Sequence, residues 1–205
     1  MTERKFLRGV YDLHSGGEVR DYYQDWAEGY DAEVAAEGYA TPGRCAAALA
    51  AHTDDPGAPI LDFACGTGLS GVALRAAGFT VIDGIDISAA MLAKAADKGV
   101  YRTLTEVPAD APPPIPADRY AAIAAIGAIG PGAAPASVIA PLVAALPAGG
   151  RFVLSLNDHA LERSDVPAAL ASEVAARRLS ELSAERGDHL PGIDVQSTVY
   201  VYART

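Results

Sequence analysis

Apolar and polar positions follow two different periods along this chain, and the switches between them mark out its elements. Over residues 18–37, Val19, Tyr22, Tyr23, Trp26, Tyr30 and Val34 recur at three- and four-residue spacing, which puts them on one face of a helix with Gly29 as its weak point. Thr41-Pro42 predicts a second helix to about His52, with threonine as N-cap and proline in its first position, and Asp54-Asp55-Pro56-Gly57 predicts a turn. The period then shortens. Ile60–Phe63 reads as a buried strand, 70–77 as a helix sending Val72, Leu74, Ala76 and Ala77 toward a sheet, and 79–85 as a second strand closed by Asp86. Ser88 caps a helix over 89–97 that Gly99 ends, and 101–105 is a third strand. After a proline-rich lapse, 120–126 is apolar on both faces, as a central parallel strand should be. A helix over 136–146, a turn at Pro147-Ala148-Gly149-Gly150 and a fifth strand over 151–156 follow. Asp165 caps a helix over 166–179, and two last strands flank 187–192, the second spanning 195–202.

Strands alternating with helices predict an α/β fold, and 205 residues suit one core, so the expectation is a single domain over 1–205. Residues 1–53 would form a helical cover and 58–205 the sheet-containing core. Residues 1–17 are polar and patternless, with Gly16-Gly17 as a hinge. A net charge of -10, with 16 Lys and Arg residues that never cluster, disfavours nucleic acid as a partner. The start lacks the apolar run of a secretory signal, and a disulfide between Cys45 and Cys65 would tether the glycine turn. Both point to a reducing, cytoplasmic setting. Residues 120–150 carry no charge, yet Pro131, Pro135, Pro141 and Pro147 break them too often for a membrane span.

The chemistry concentrates at the first strand–turn–helix corner. Gly66-Thr67-Gly68-Leu69-Ser70-Gly71, with Asp86 some 20 residues on, spells a dinucleotide fingerprint and would imply NAD. Asp62 argues against it, because a carboxylate beside the turn repels a pyrophosphate. S-adenosylmethionine has no phosphate: its ammonium and sulfonium suit an acid, and its carboxylate suits the helix N-terminus. The acid-then-glycine order therefore favours the sulfonium cofactor. The aromatic stripe has two readings, plain core packing or a lid in which Tyr23, Trp26 and Tyr30 turn ring faces to a sulfonium cation.

Asp62 to Gly68 (D-x-A-C-G-T-G) and Gly84 to Leu92 (G-I-D-I-S-x-x-M-L) resemble motifs I and II of class I S-adenosylmethionine-dependent methyltransferases. ILDFACGTGLSGVALRAAGF, the upstream YYQDWAEGYDAEV and the ending VYVYAR resemble, more narrowly, the small methyltransferase-like proteins of the Williams-Beuren syndrome chromosome region, with a type 11 methyltransferase domain. The resemblance implies a Rossmann-like, seven-stranded, mostly parallel sheet with helices on both faces, an antiparallel C-terminal strand and an N-terminal helical lid. It implies cofactor contacts from Trp26, Tyr30, Asp62, Ala64, Cys65, Gly66, Thr67, Gly68, Asp86, Ile87, Met91 and Ile126. Members often bind the adenine amino group with an acid; Glu106 and Asp110 compete for that role here, with backbone contact from Glu106 or Val107 as the other option.

Displacement from a sulfonium needs alignment and exclusion of water more than acid–base machinery. His14, His52, His159 and His189 are scattered, with no metal-ligand spacing, so no metal is expected. Asp158 and His159, at the tip of the fifth strand, are the candidates if a general base is needed. The acceptor pocket is expected between the cover, 127–135 and 157–165. The expectation is a methyltransferase acting on a small molecule, releasing S-adenosylhomocysteine and working as a monomer or homodimer. A non-catalytic cofactor-binding protein and an NAD-dependent oxidoreductase are the alternatives.

Overall fold

In the computed structural model, which describes residues 15–205 with Gly9 and Leu13, seven strands form one sheet. The rest of the patternless N-terminal segment, His14 included, lies outside the described residues. In chain order the helices are α1 (Gly16–Trp26), α2 (Tyr30–Ala36), α3 (Thr41–Ala50), α4 (Leu69–Ala76), α5 (Ala89–Asp97), α6 (Ile139–Ala145), α7 (Asp158–Arg163) and α8 (Val166–Ala175). The strands are β1 (Ile60–Phe63), β2 (Ile82–Asp86), β3 (Thr103–Glu106), β4 (Ala122–Ala125), β5 (Arg151–Asn157), β6 (Leu179–Leu190) and β7 (Val195–Arg204). Their order is β3-β2-β1-β4-β5-β7-β6; β1 to β5 are parallel and β7 runs antiparallel to both β5 and β6.

Alternation along the strands divides the core. Leu61, Phe63, Ile123, Phe152 and Leu154 join the layer containing α6 and α8, while Ile60, Ile82, Ala124 and Val153 pack with Cys45 and Leu49 of α3 and Leu74 of α4. Burial on both faces explains why these strands read as continuous apolar runs. The crevice of such a sheet opens where the chain reverses direction across it, between β1 and β4. That is where the site lies.

Some local expectations hold and others are corrected. The aromatic helix breaks at Gly29, whose N–H bonds the Trp26 carbonyl before Glu33 restarts the ladder on the Gly29 carbonyl. Thr41 is the first residue of α3 rather than its cap, because its hydroxyl is engaged by His189 and Ser197. Val72 is 41% exposed and Ala76 is exposed as well; Leu74 alone of the inward-predicted quartet is fully buried. The helix expected to reach residue 179 stops at Ala175, where Arg177 enters the left-handed region (φ 56) and turns the chain into β6. β6 then continues through Gly187. Residues 120–150 resolve into β4, a loop, a 3-10 turn leading into α6, and a turn; among the described residues no helix is long and apolar enough to cross a membrane. Cys45 and Cys65 are both free and buried.

Candidate cofactor and acceptor site

The loop from β1 to α4 is the floor of an open cavity whose empty space, solvent at its mouth included, is about 1080 Å³. Ala64 (φ 52), Gly66 (φ 53) and Gly68 (φ 91) carry it around the corner in left-handed conformations. Asp86, at the end of β2, ties the loop down: Oδ2 accepts from the Gly66 N–H at 2.8 Å and Oδ1 from the Ser88 N–H at 2.9 Å. Burial raises its carboxyl above the ordinary value, opposed by these N–H donors.

Asp62 lies beneath the loop and not on the cavity wall. Its Oδ2 accepts from Ser70 Oγ at 2.6 Å and from the Tyr101 hydroxyl at 2.7 Å, while Oδ1 is buried with no partner. Burial lifts this carboxyl to about 7 against the pull of both hydroxyls. The Tyr101 ring explains the glycines around it. A Cβ at Gly71 would overlap the ring, one at Gly68 would crowd it at 3.0 Å, and one at Gly84 would meet Leu104 and Cys65 first and the ring at 3.0 Å. The third glycine of the dinucleotide-like run thus makes room for a tyrosine, which withdraws the observation behind the NAD reading.

The cover is pinned at three points. Gln24 Oε1 accepts from Ser88 Oγ at 2.8 Å and the Ala90 N–H at 2.9 Å; Glu28 pairs with Lys94 at 2.7 Å. Asp31 accepts from Thr67 Oγ1 at 2.5 Å and from Lys98 Nζ at 2.7 Å, and the same ammonium donates to the Thr67 carbonyl at 2.6 Å. Within the cover Tyr23 stacks on Trp26 (5.6 Å between centroids), and Tyr30 meets Trp26 edge-on at 4.6 Å.

Of the residues anticipated at the cofactor, Tyr30, Ala64, Cys65, Gly66, Thr67, Asp86, Ile87, Met91, Val107 and Ile126 line this cavity together. Four do not. Trp26 is 2% exposed, donates from its indole N–H to Glu33 at 2.9 Å and lines a neighbouring cavity instead. Asp62 sits below the floor, and Gly68 faces Tyr101 and Ala95. Glu106 is exposed, as is its rival Asp110, and Val107, Pro108 and Ala109 form that wall. The general-base candidates are also displaced. Asn157 caps α7 by accepting from the Ala160 N–H at 2.9 Å, and the following turn carries Asp158 to Arg186 (2.5 Å) and the Gln196 N–H. The Arg186 guanidinium lowers the Asp158 carboxyl. Neither Asp158 nor His159 lines either cavity.

The neighbouring cavity, about 680 Å³, shares Tyr23, Tyr30, Tyr39, Gly127 and Ala133 with the first and adds Trp26, Ser155, Asn157 and His189. Gly127 (φ 64) forms the sill, its N–H donating to Ser155 Oγ at 2.8 Å. Tyr39, Tyr101, Ser155, His189 and the Asp31 latch escaped the sequence reading. Gly71 and Gly84 were the one available signal, since two glycines flanking a buried turn ask what bulky group lies between them.

Among the described residues, Asp86 is the one charged side chain on the main cavity's wall, and no cluster of three His, Cys, Asp or Glu residues is placed to hold a metal. With the unpartnered oxygen of Asp62 beneath, this is a floor for a cationic ligand; a pyrophosphate would meet a carboxylate and no cation. The sheet order, the glycine loop and the acid ending β2 define the class I methyltransferase architecture. The chain belongs to the methyltransferase domain family, whose model Methyltransf_23 matches residues 38–199.

Human methyltransferase-like protein 27 is 33% identical over 149 residues, which cover 71% of this chain and 61% of that protein, so the match spans less than two thirds of the relative's length. Magnesium protoporphyrin IX methyltransferase from Synechocystis with bound S-adenosylmethionine superposes with a TM-score of 0.68 at 19% identity, covering 94% of this chain and 98% of that one. Geranyl diphosphate C-methyltransferase from Streptomyces coelicolor gives 0.58 at 15%, covering 78% and 77%. The [4+2]-cyclase SpnF gives 0.59 at 16%, covering 79% and 81%. At such identities these structures speak to the fold alone.

Proposed function

We propose that this protein transfers a methyl group from S-adenosylmethionine to a small uncharged acceptor, with the cofactor in the main cavity and the acceptor in its neighbour. The observation that carries this reading is the anionic floor: Asp86 on the wall and the unpartnered Asp62 oxygen below it. Asp86 would hold the ribose hydroxyls, since each of its oxygens accepts one N–H and keeps a lone pair. Asp62, beneath the loop, would act on the ammonium through the floor without touching it, and backbone at Val107 would hold the adenine. Tyr23 and Tyr30 would cover the sulfonium and exclude water. The cofactor, when bound, supplies a methyl group already activated for in-line displacement. The protein's task is then alignment across the Gly127 sill, which requires neither a metal nor a base on Asp158 or His159.

Calorimetry with S-adenosylhomocysteine and NADH is the test. Micromolar binding of the first, lost in Asp86→Ala, supports the reading; binding of NADH in its place overturns it. The displaced base candidates favour a second reading, a non-catalytic cofactor-binding protein. A one-methylene mass gain in metabolite pools incubated with protein and cofactor separates the two. The reading keeps the finer kinship with the Williams-Beuren methyltransferase-like proteins. It also keeps a small molecule rather than nucleic acid as partner, a monomer or homodimer, and a cytoplasmic setting.

A further inference from the structure

A relay of buried polar groups runs from α3 to the second cavity. Arg44 Nη1 donates to Ser197 Oγ at 3.1 Å; Ser197 and Thr41 hydroxyls lie 2.9 Å apart; Thr41 Oγ1 lies 2.8 Å from His189 Nδ1. Thr41 and Ser197 are fully buried, and His189 is 7% exposed. The guanidinium is held in place by the carbonyls of Glu185, Asp188 and Ser197, and it lies against Gly187, where a Cβ would come within 2.9 Å of it.

The direction of this relay follows from its first member. Arginine only donates. Ser197 Oγ therefore accepts from Arg44 and has one proton to give, to Thr41; Thr41 in turn gives its own proton to His189 Nδ1. Any reversal at the histidine leaves a hydroxyl proton without an acceptor in a dry interior, the costly outcome for a buried polar group. Nδ1 is thus an acceptor and the ring proton sits on Nε2. Burial, helped by Arg44 and His159 and opposed by Asp158, pushes His189 down to about 4, so the ring stays neutral.

We propose that His189 is the acceptor-recognition residue of the second cavity, a neutral Nε2–H donor fixed in that tautomer by Arg44, Ser197 and Thr41, and that the acceptor is an uncharged planar compound presenting a carbonyl oxygen to it. This rests on the methyl-transfer reading of the two cavities. The chemistry follows from the wall: Tyr39 meets His189 edge-on at 5.2 Å, Tyr23, Trp26 and Tyr30 are aromatic, and no charged side chain lines the cavity among the described residues. A carboxylate entering there would find no cation. A carbonyl finds a donor and flat walls.

The test uses the 205-residue chain saturated with S-adenosylhomocysteine and 15N-labelled at histidine. Long-range proton–nitrogen spectra should show His189 with a bare Nδ1 and a protonated Nε2. Thr41→Val should mix the two tautomers without unfolding the protein. Acetophenone and benzamide should move the His189 signals and benzoate should not. His189→Gln should retain the neutral probes, while His189→Phe should weaken them by roughly tenfold. A protonated Nδ1 in the wild type overturns the relay, and silence from both neutral probes, or a response to benzoate alone, overturns the acceptor class. Loss of S-adenosylhomocysteine binding with the tautomer intact instead sinks the underlying methyl-transfer reading.

Discussion

The Tyr101 hydroxyl donates to Asp62 at 2.7 Å while accepting from the Gly71 N–H at 3.1 Å, so one side chain ahead of β3 braces both the acid under the glycine loop and the first turn of α4. Its donor also opposes the burial that raises the Asp62 carboxyl. Tyr101→Phe should therefore push that carboxyl higher, cost about 1–2 kcal/mol of stability and weaken S-adenosylhomocysteine binding about tenfold. Chemical denaturation and calorimetry read the two effects separately.

Asp62 gives the site a pH dependence of definite sign. Its folded carboxyl titrates at about 7, above the ordinary 3.8, so the folded state holds the proton more tightly. The stability this contributes is fully present below about pH 3.8 and is lost as pH rises through about 7. A cationic ligand on the floor above Asp62 favours the ionised form. Cofactor binding near pH 7 should release a proton and tighten as pH rises, seen as a buffer-dependent binding enthalpy that Asp62→Asn abolishes.

The Asp31 latch should govern the cover rather than the fold. Asp31 is 43% exposed in its side chain, so its pair with Lys98 is screened and contributes well under about 1 kcal/mol. Asp31→Ala should leave the melting temperature almost unchanged, speed proteolysis between α1 and α3, and accelerate cofactor release several-fold. Stopped-flow displacement at two salt concentrations checks this, with the wild-type rate approaching the variant's at high salt.

Ala64 occupies the left-handed region at the cavity floor. Relief of that strain, less the entropy glycine loses on folding, should make Ala64→Gly more stable by about 0.5–1 kcal/mol with cofactor affinity retained. A rise in melting temperature checks the sign.

The architecture was legible because each strand's apolar run is a local property, and Gly66, Gly68 and Asp86 announce a loop whose chemistry is encoded within it. What escaped was set by distant partners. Thr41 looks like a cap until His189, 148 residues away, takes its hydroxyl. Asp158 looks like a strand-tip base until Asn157 starts a helix and Arg186 claims it. Val72 satisfies a helical period yet faces solvent, since period alone does not fix how a short helix is rolled on a sheet. Tyr101 looks like no more than the start of a strand, though Gly71 leaves the space its ring fills.

The hairpin of β6 and β7 reaches the second cavity with His189 and Leu190, whereas the cofactor floor is assembled wholly from β1, β2 and the turns after them. On the methyl-transfer reading, the histidine proposed to recognise the acceptor and the floor proposed to hold the cofactor belong to separate stretches of chain. Replacing His189 and its neighbours in the hairpin would then alter one wall of the second cavity while leaving that floor unchanged.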